Sequence, residues 1–72
     1  MSPHLRAKRA AWAEVATAML VQAGVSITRL PGGAYRILSG ENLTLVQEIS
    51  DLKPAEVGEM LSEETRYNAM NA

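Results

Sequence analysis

The chain has no cysteine, a single histidine and a single tryptophan among its 72 residues. Without cysteine there is no disulfide and no thiolate metal site to reinforce the core. One histidine and no cysteine exclude the usual zinc ligand sets. His4 lies beside Arg6, Lys8 and Arg9, with no nucleophile or orienting partner nearby in the sequence. A catalytic histidine needs both within hydrogen-bond reach. Long apolar runs are also missing: none approaches the roughly 18 residues that cross a membrane. The basic start, Met1 to Arg9, could open a signal peptide, but Glu14, Thr17 and Gln22 follow at helical intervals. A secretory apolar core would not carry them, so the expectation is a cytoplasmic protein. No catalytic set, metal site or cofactor motif is found in the sequence.

What is present is a stretch with strand character. Val25 to Leu30 and Ala34 to Ser39 are β-prone runs on either side of Pro31-Gly32-Gly33. This pattern predicts a hairpin, with Val25 and Ile27 facing the core, Ser26 and Thr28 facing out, and Tyr35 and Ile37 on the face opposite Arg36. The glycines join two strands, so they make no phosphate loop, which needs a strand leading into a helix.

Residues 4 to 23 read as a helix. Ser2 is its candidate N-cap, Pro3 its first residue and Gly24 its C-terminal stop. Leu5, Trp12, Val15, Ala16, Met19, Leu20 and Ala23 fall on one face. Ala7, Ala11 and Ala18, with Val21 nearby, form a low side where a second helix could approach. Ser39-Gly40-Glu41-Asn42 reads as a second turn. Residues 43–49 fit either a third strand or a helix with Thr44 and Gln47 as a capping box. The strand is preferred, because a two-stranded hairpin is marginal alone. Pro54 opens the last helix, with Asp51 as a possible upstream cap and Val57, Met60 and Leu61 as its apolar edge. Gly58 sits inside it, implying close packing there or a weak helix. Residues 65–72 show no period and are expected to fray.

The expected architecture is one small α+β domain over residues 1–72. It has a long N-terminal helix, a two- or three-stranded antiparallel meander and a C-terminal helix, with both helices on one face of the sheet. The expected core is Trp12, Val15, Ala16, Met19, Leu20, Val25, Ile27, Tyr35, Ile37, Leu45, Ile49, Val57, Met60 and Leu61. A chain of this length buries only roughly 60% of the surface its unfolded form exposes. Small unstapled scaffolds often gain stability by self-association, which makes a homodimer a natural expectation.

Net charge is −1, but it is unevenly spread. Residues 1–36 hold five basic side chains against one acidic, and residues 37–72 hold two against seven. Two functional readings follow. In the first, the chain is a non-enzymatic protein-binding module that occupies a partner's surface as an inhibitor or modulator. Glu56, Glu59, Glu63 and Glu64 would steer a basic partner, and Tyr35 or Tyr67 would anchor it. Its size and lack of chemistry suit a compact accessory protein of the kind encoded by bacteriophages and mobile elements. In the second, it is a small dimeric DNA-binding regulator using Arg6, Lys8, Arg9, Arg29 and Arg36. Arg29 and Arg36 would then stand opposite each other on the outer face of the hairpin. Against that reading, the acidic second half would repel phosphate.

Overall fold

The computed structural model describes residues 3–71, so the expected cap at Ser2 lies outside the described residues. The element order is helix α1 (Pro3–Gln22), strands β1 (Ser26–Arg29), β2 (Tyr35–Ser39) and β3 (Asn42–Val46), a single 3₁₀ turn (Ile49–Asp51) and helix α2 (Pro54–Met70). This is an α+β arrangement with a three-stranded antiparallel sheet in the order β1-β2-β3.

Local chemistry sets most of the boundaries. α1 carries no acidic residue in its first turn and no basic residue in its last, so no charged side chain of those turns complements its dipole and packing contributes much of its stability. It ends in a Schellman motif: Val25 N–H donates to Leu20 O at 3.0 Å and Gly24 N–H to Val21 O at 3.1 Å. Gly24 takes φ +94°, a conformation glycine reaches without steric penalty. The first hairpin closes through Gly33 N–H to Leu30 O at 2.9 Å and Leu30 N–H to Ala34 O at 2.8 Å. Pro31 presets the turn, and Gly33 supplies the left-handed residue that ends it.

The second hairpin is tighter. Ser39 pairs with Asn42, leaving Gly40 and Glu41 as the two central residues. Gly40 has φ +60° and Glu41 a negative φ, the pattern of a II′ turn with glycine in first place. Segment 42–46 is therefore a strand, as preferred from the sequence. The two-residue turn fixes its register: Leu43 opposite Leu38, Thr44 opposite Ile37, Leu45 opposite Arg36 and Val46 opposite Tyr35.

The core is Ala16 and Leu20 of α1, Val25, Ile37, Ile49, Leu52, and Val57 and Met60 of α2. Trp12, Ala13, Met19, Ile27, Tyr35, Val46 and Leu61 pack against it. Two expected core residues lie elsewhere. Val15 is 51% and Leu45 63% exposed. Leu45 is outside because its pairing with Arg36 puts it on the outer face, and Val46 turns inward in its place. Val15 is outside because α1 is pinned along a different line. Trp12 Nε1–H donates to Leu52 O at 2.7 Å, and Arg9 Nη2 reaches Asp51 Oδ1 at 2.8 Å and Ser50 Oγ at 3.2 Å. These contacts centre the buried side on Arg9, Trp12, Ala13, Ala16 and Leu20, which rotates Val15 away.

α2 differs from expectation at both ends. Its N-cap position is Lys53, whose N–H donates to Glu56 Oε1 at 2.8 Å. Asp51 serves the 3₁₀ turn instead, accepting from Glu48 N–H at 3.3 Å. At the other end the helix continues through Thr65 to Met70, where fraying was expected. It stops where Asn71 donates to Tyr67 O through its backbone N–H at 3.1 Å and its Nδ2 at 2.8 Å.

Two glycines make opposite predictions. A Cβ on Gly40 would stand 2.9 Å from Glu63 O and 3.2 Å from Tyr67 Cβ. Gly40→Ala should lower stability by about 2 kcal/mol or more, from the positive φ and the clash together. A Cβ on Gly58 meets nothing within 4 Å, so close packing does not explain that glycine. Gly58→Ala should raise stability by about 0.5–1 kcal/mol. Urea denaturation of the two variants checks both signs.

Candidate functional site

A groove of about 910 Å³ lies between α1 and the first hairpin. One wall is the α1 side next to the buried one: Ala13, Glu14, Thr17, Ala18 and Val21. These are residues about four apart, so they stack along one line of the helix. The opposite wall is the hairpin, through Ile27, Arg29, Gly33 and Tyr35. The segment from Gln47 to Ser50 closes one end. The small side chains of Ala13 and Ala18 leave the space open, and Val21 and Ile27 make much of it apolar. The low alanine side noted in the sequence thus borders the groove at Ala18.

The register explains why Arg29 is in the groove. Arg29 pairs with Tyr35 and Thr28 with Arg36, so the two arginines lie on opposite faces of the sheet. The expected outward arginine pair is therefore not formed. Arg29 shares its face with Ile27 and Tyr35, while Arg36 is on the outer face with Leu45. No hydrogen bond or ion pair holds Arg29 among the described residues. Arg29 is exposed and stands across from its strand partner, the half-buried Tyr35, with Glu14 and Glu48 elsewhere along the lining.

The other predicted site residues are dispersed. Arg9 is held by Asp51 and Ser50. Arg6 and Lys8 are exposed on the first turns of α1. The acidic row on α2 is partly engaged within the chain. Glu56 accepts the Lys53 N–H and Glu63 pairs with Arg66 at 3.0 Å. Glu64 is buried and accepts the Gly40 N–H at 3.1 Å, so it fastens α2 to the β2–β3 turn and is unavailable to a partner. Glu59 alone stays exposed without a described contact. Tyr67 lies against Gly40 with its side chain partly open to solvent. Among the described residues, no group of three or more histidine, aspartate or glutamate side chains could hold a metal ion. No described helix is long and apolar enough to cross a membrane.

One surface escaped the sequence reading. Leu38, Leu43 and Leu45 are 42%, 61% and 63% exposed and stand together on the outer face of the sheet, with Leu38 directly opposite Leu43. The alternation of Leu43 and Leu45 with Thr44 and Val46 was visible. Which set faces inward was not, until the pairing with β2 was known.

Compared with protein-family models, curated proteins and solved structures, the chain matches none of them.

The Arg9–Asp51 pair should contribute little energy despite its short contact, because both side chains are more than 40% open to solvent (42% and 44%). A double-mutant cycle with Arg9→Ala and Asp51→Ala should give a coupling of about 0.5 kcal/mol and not above about 1. Trp12→Phe should be worse than either single change. It leaves the Leu52 carbonyl without its donor and should lower stability by about 1–3 kcal/mol in the same denaturation assay.

Proposed function

We propose that the chain is a non-enzymatic protein-binding module that acts by contact, as an inhibitor or modulator of its partner, with the groove beside the first hairpin as the contact site. The observation that carries this reading is an unpaired arginine, Arg29, beside Tyr35 in a largely apolar groove of about 910 Å³. Concave apolar surface with a few converging polar groups is the common form of a binding site. Tyrosine and arginine are the side chains most often found to dominate contact energies. The matching partner segment carries apolar side chains for Val21 and Ile27 and an acidic group for Arg29. This replaces the acidic α2 face as the proposed docking surface, since three of its four glutamates have contacts within the chain. A cytoplasmic setting and an accessory role remain part of the proposal.

The nucleic-acid reading draws less support. Arg9 is engaged by Asp51, and Arg29 and Arg36 diverge across the sheet, so the basic residues do not converge on one duplex-sized surface.

Ala18→Arg fills the groove from an exposed helix position, so it should leave folding within about 0.5 kcal/mol of wild type. Affinity enrichment from the native host should recover a protein at least about tenfold less well with Ala18→Arg or Arg29→Glu than with the wild-type chain. Equal recovery by all three would remove the groove from the proposal. A duplex-DNA anisotropy titration that shows a steep salt dependence would favour the nucleic-acid reading instead.

A further inference from the structure

The hydrogen-bond phase of the sheet leaves one set of backbone groups without a strand to bond. Leu30 N–H donates to Ala34 O, and the pairs Thr28–Arg36 and Ser26–Leu38 follow in the same register at two-residue steps. Alternation along an antiparallel ladder then turns the N–H and C=O of Arg36 and Leu38 toward β1. Those of Tyr35, Ile37 and Ser39 turn toward β3, where they meet Val46, Thr44 and Asn42. The N–H and C=O of Leu43 and Leu45 therefore point outward from the edge of β3, the last strand of the sheet. Natural edge strands are usually blunted by lysine, proline, a bulge or an inward charge. Asn42–Val46 has the sequence NLTLV, with none of these residues. Its two outward-bonding residues are also the two most exposed leucines of the chain.

We propose that the β3 edge pairs antiparallel with the β3 edge of a second copy of this chain, about a two-fold axis through Thr44. This goes beyond the groove reading and does not use the groove. The occupant follows from complementarity. A strand that completes this edge must present outward N–H and C=O groups at the same two-residue spacing, on an uncharged segment with apolar side chains on the outer face. β3 itself meets each requirement. With Thr44 on the axis, Leu43 stands opposite Leu45 of the second copy and Leu45 opposite Leu43 of the second copy. Both are hydrogen-bonding positions, so the phases match. All five residues of the strand are paired. At the flank Glu41 meets Gln47 of the second copy, so the paired strands themselves bring no like charges opposite each other. The nearest like charges are Glu56, Glu59 and Glu63 of α2, which border Asn42 and Thr44 on the inner face. Four leucines then pack side by side on the outer face and continue into Leu38 of each copy, joining two exposed apolar patches into one six-stranded sheet. The opposite edge of the sheet is less suited: β1 ends in Arg29, and two such edges would each bring a cation.

Sedimentation velocity from about 5 to 500 µM covers the range expected of a small interface. The wild-type chain should sediment as a dimer at the upper end. Amide exchange at Leu43 and Leu45 should slow as concentration rises, while Ile27 and Arg29, on the β1 edge, stay unchanged. Leu43→Lys combined with Leu45→Lys places like charges opposite each other twice and should weaken the dimer at least about tenfold. Leu43→Lys combined with Leu45→Glu places each new lysine opposite a new glutamate of the second copy. It should bring the constant back toward the wild-type value, which also controls for a folding defect. Ala18→Arg should leave association unchanged, so loss of the groove and loss of the dimer are read separately. A wild-type monomer at 500 µM, undiminished association of the double-lysine variant, no recovery with the lysine–glutamate variant, or exchange protection at the β1 edge instead would each overturn the proposal.

Discussion

The structure depends on the two-residue turn at Gly40 and Glu41. Because side chains in a strand alternate with period two, a turn one residue longer would reverse every side chain of β3. Leu43 and Leu45 would then go inward and Thr44 and Val46 outward. Gly40 makes the short turn possible through its positive φ. It also lets the turn sit directly on α2, close to Glu63 O and Tyr67 Cβ. Glu64 closes the same contact by accepting the Gly40 N–H. One residue thus sets the strand register and fixes the position of the last helix.

Polar contacts do comparable work at the other end of the molecule. A core of eight buried apolar residues specifies burial but not orientation, since hydrophobic attraction has no direction. Trp12 reaching Leu52 O fixes which side of α1 meets the 3₁₀ turn, with the more exposed Arg9 contacts to Asp51 and Ser50 lying along the same side. The groove is a consequence. With α1 rotated so that Ala13, Ala16 and Leu20 face inward, the adjoining side with Ala18 and Val21 overhangs the first hairpin. Among the described residues no other element fills the gap.

The two proposed contact surfaces therefore share one cause. The register of β1 with β2 sends Arg29 toward the groove, and the register of β2 with β3 sends the leucines to the outer face. In a domain this small, each residue that does not enter the core is available on the surface. The chain has few charged residues on its sheet to keep that surface inert. The outer face carries Arg36 as its one charge among Ser26, Thr28, Leu38, Leu43 and Leu45.

The order of elements was legible from the sequence because its signals are local. Pro31-Gly32-Gly33, Gly24 and Pro54 each restrict the backbone of their own neighbourhood, and the alternation around Ile27 and Ile37 is visible over a few residues. The functional surface was not legible in the same way. Glu64 reads as one more glutamate of an acidic helix until the turn it caps is brought to it from 24 positions away. Leu45 reads as core until its partner strand is known, and Val15 until Trp12 is seen bonded to Leu52 O on another side of α1. By itself, the sequence determined the order of helices and strands and the turns that separate most of them, since those choices are made by φ, ψ and periodicity within a few residues. The choice of strand over helix after Gly40 and the reach of α2 to Met70 came with the packed structure. Only the tertiary structure decided which charges are spent on holding the fold and which leucines remain outside, because those depend on pairing between segments that are distant along the chain.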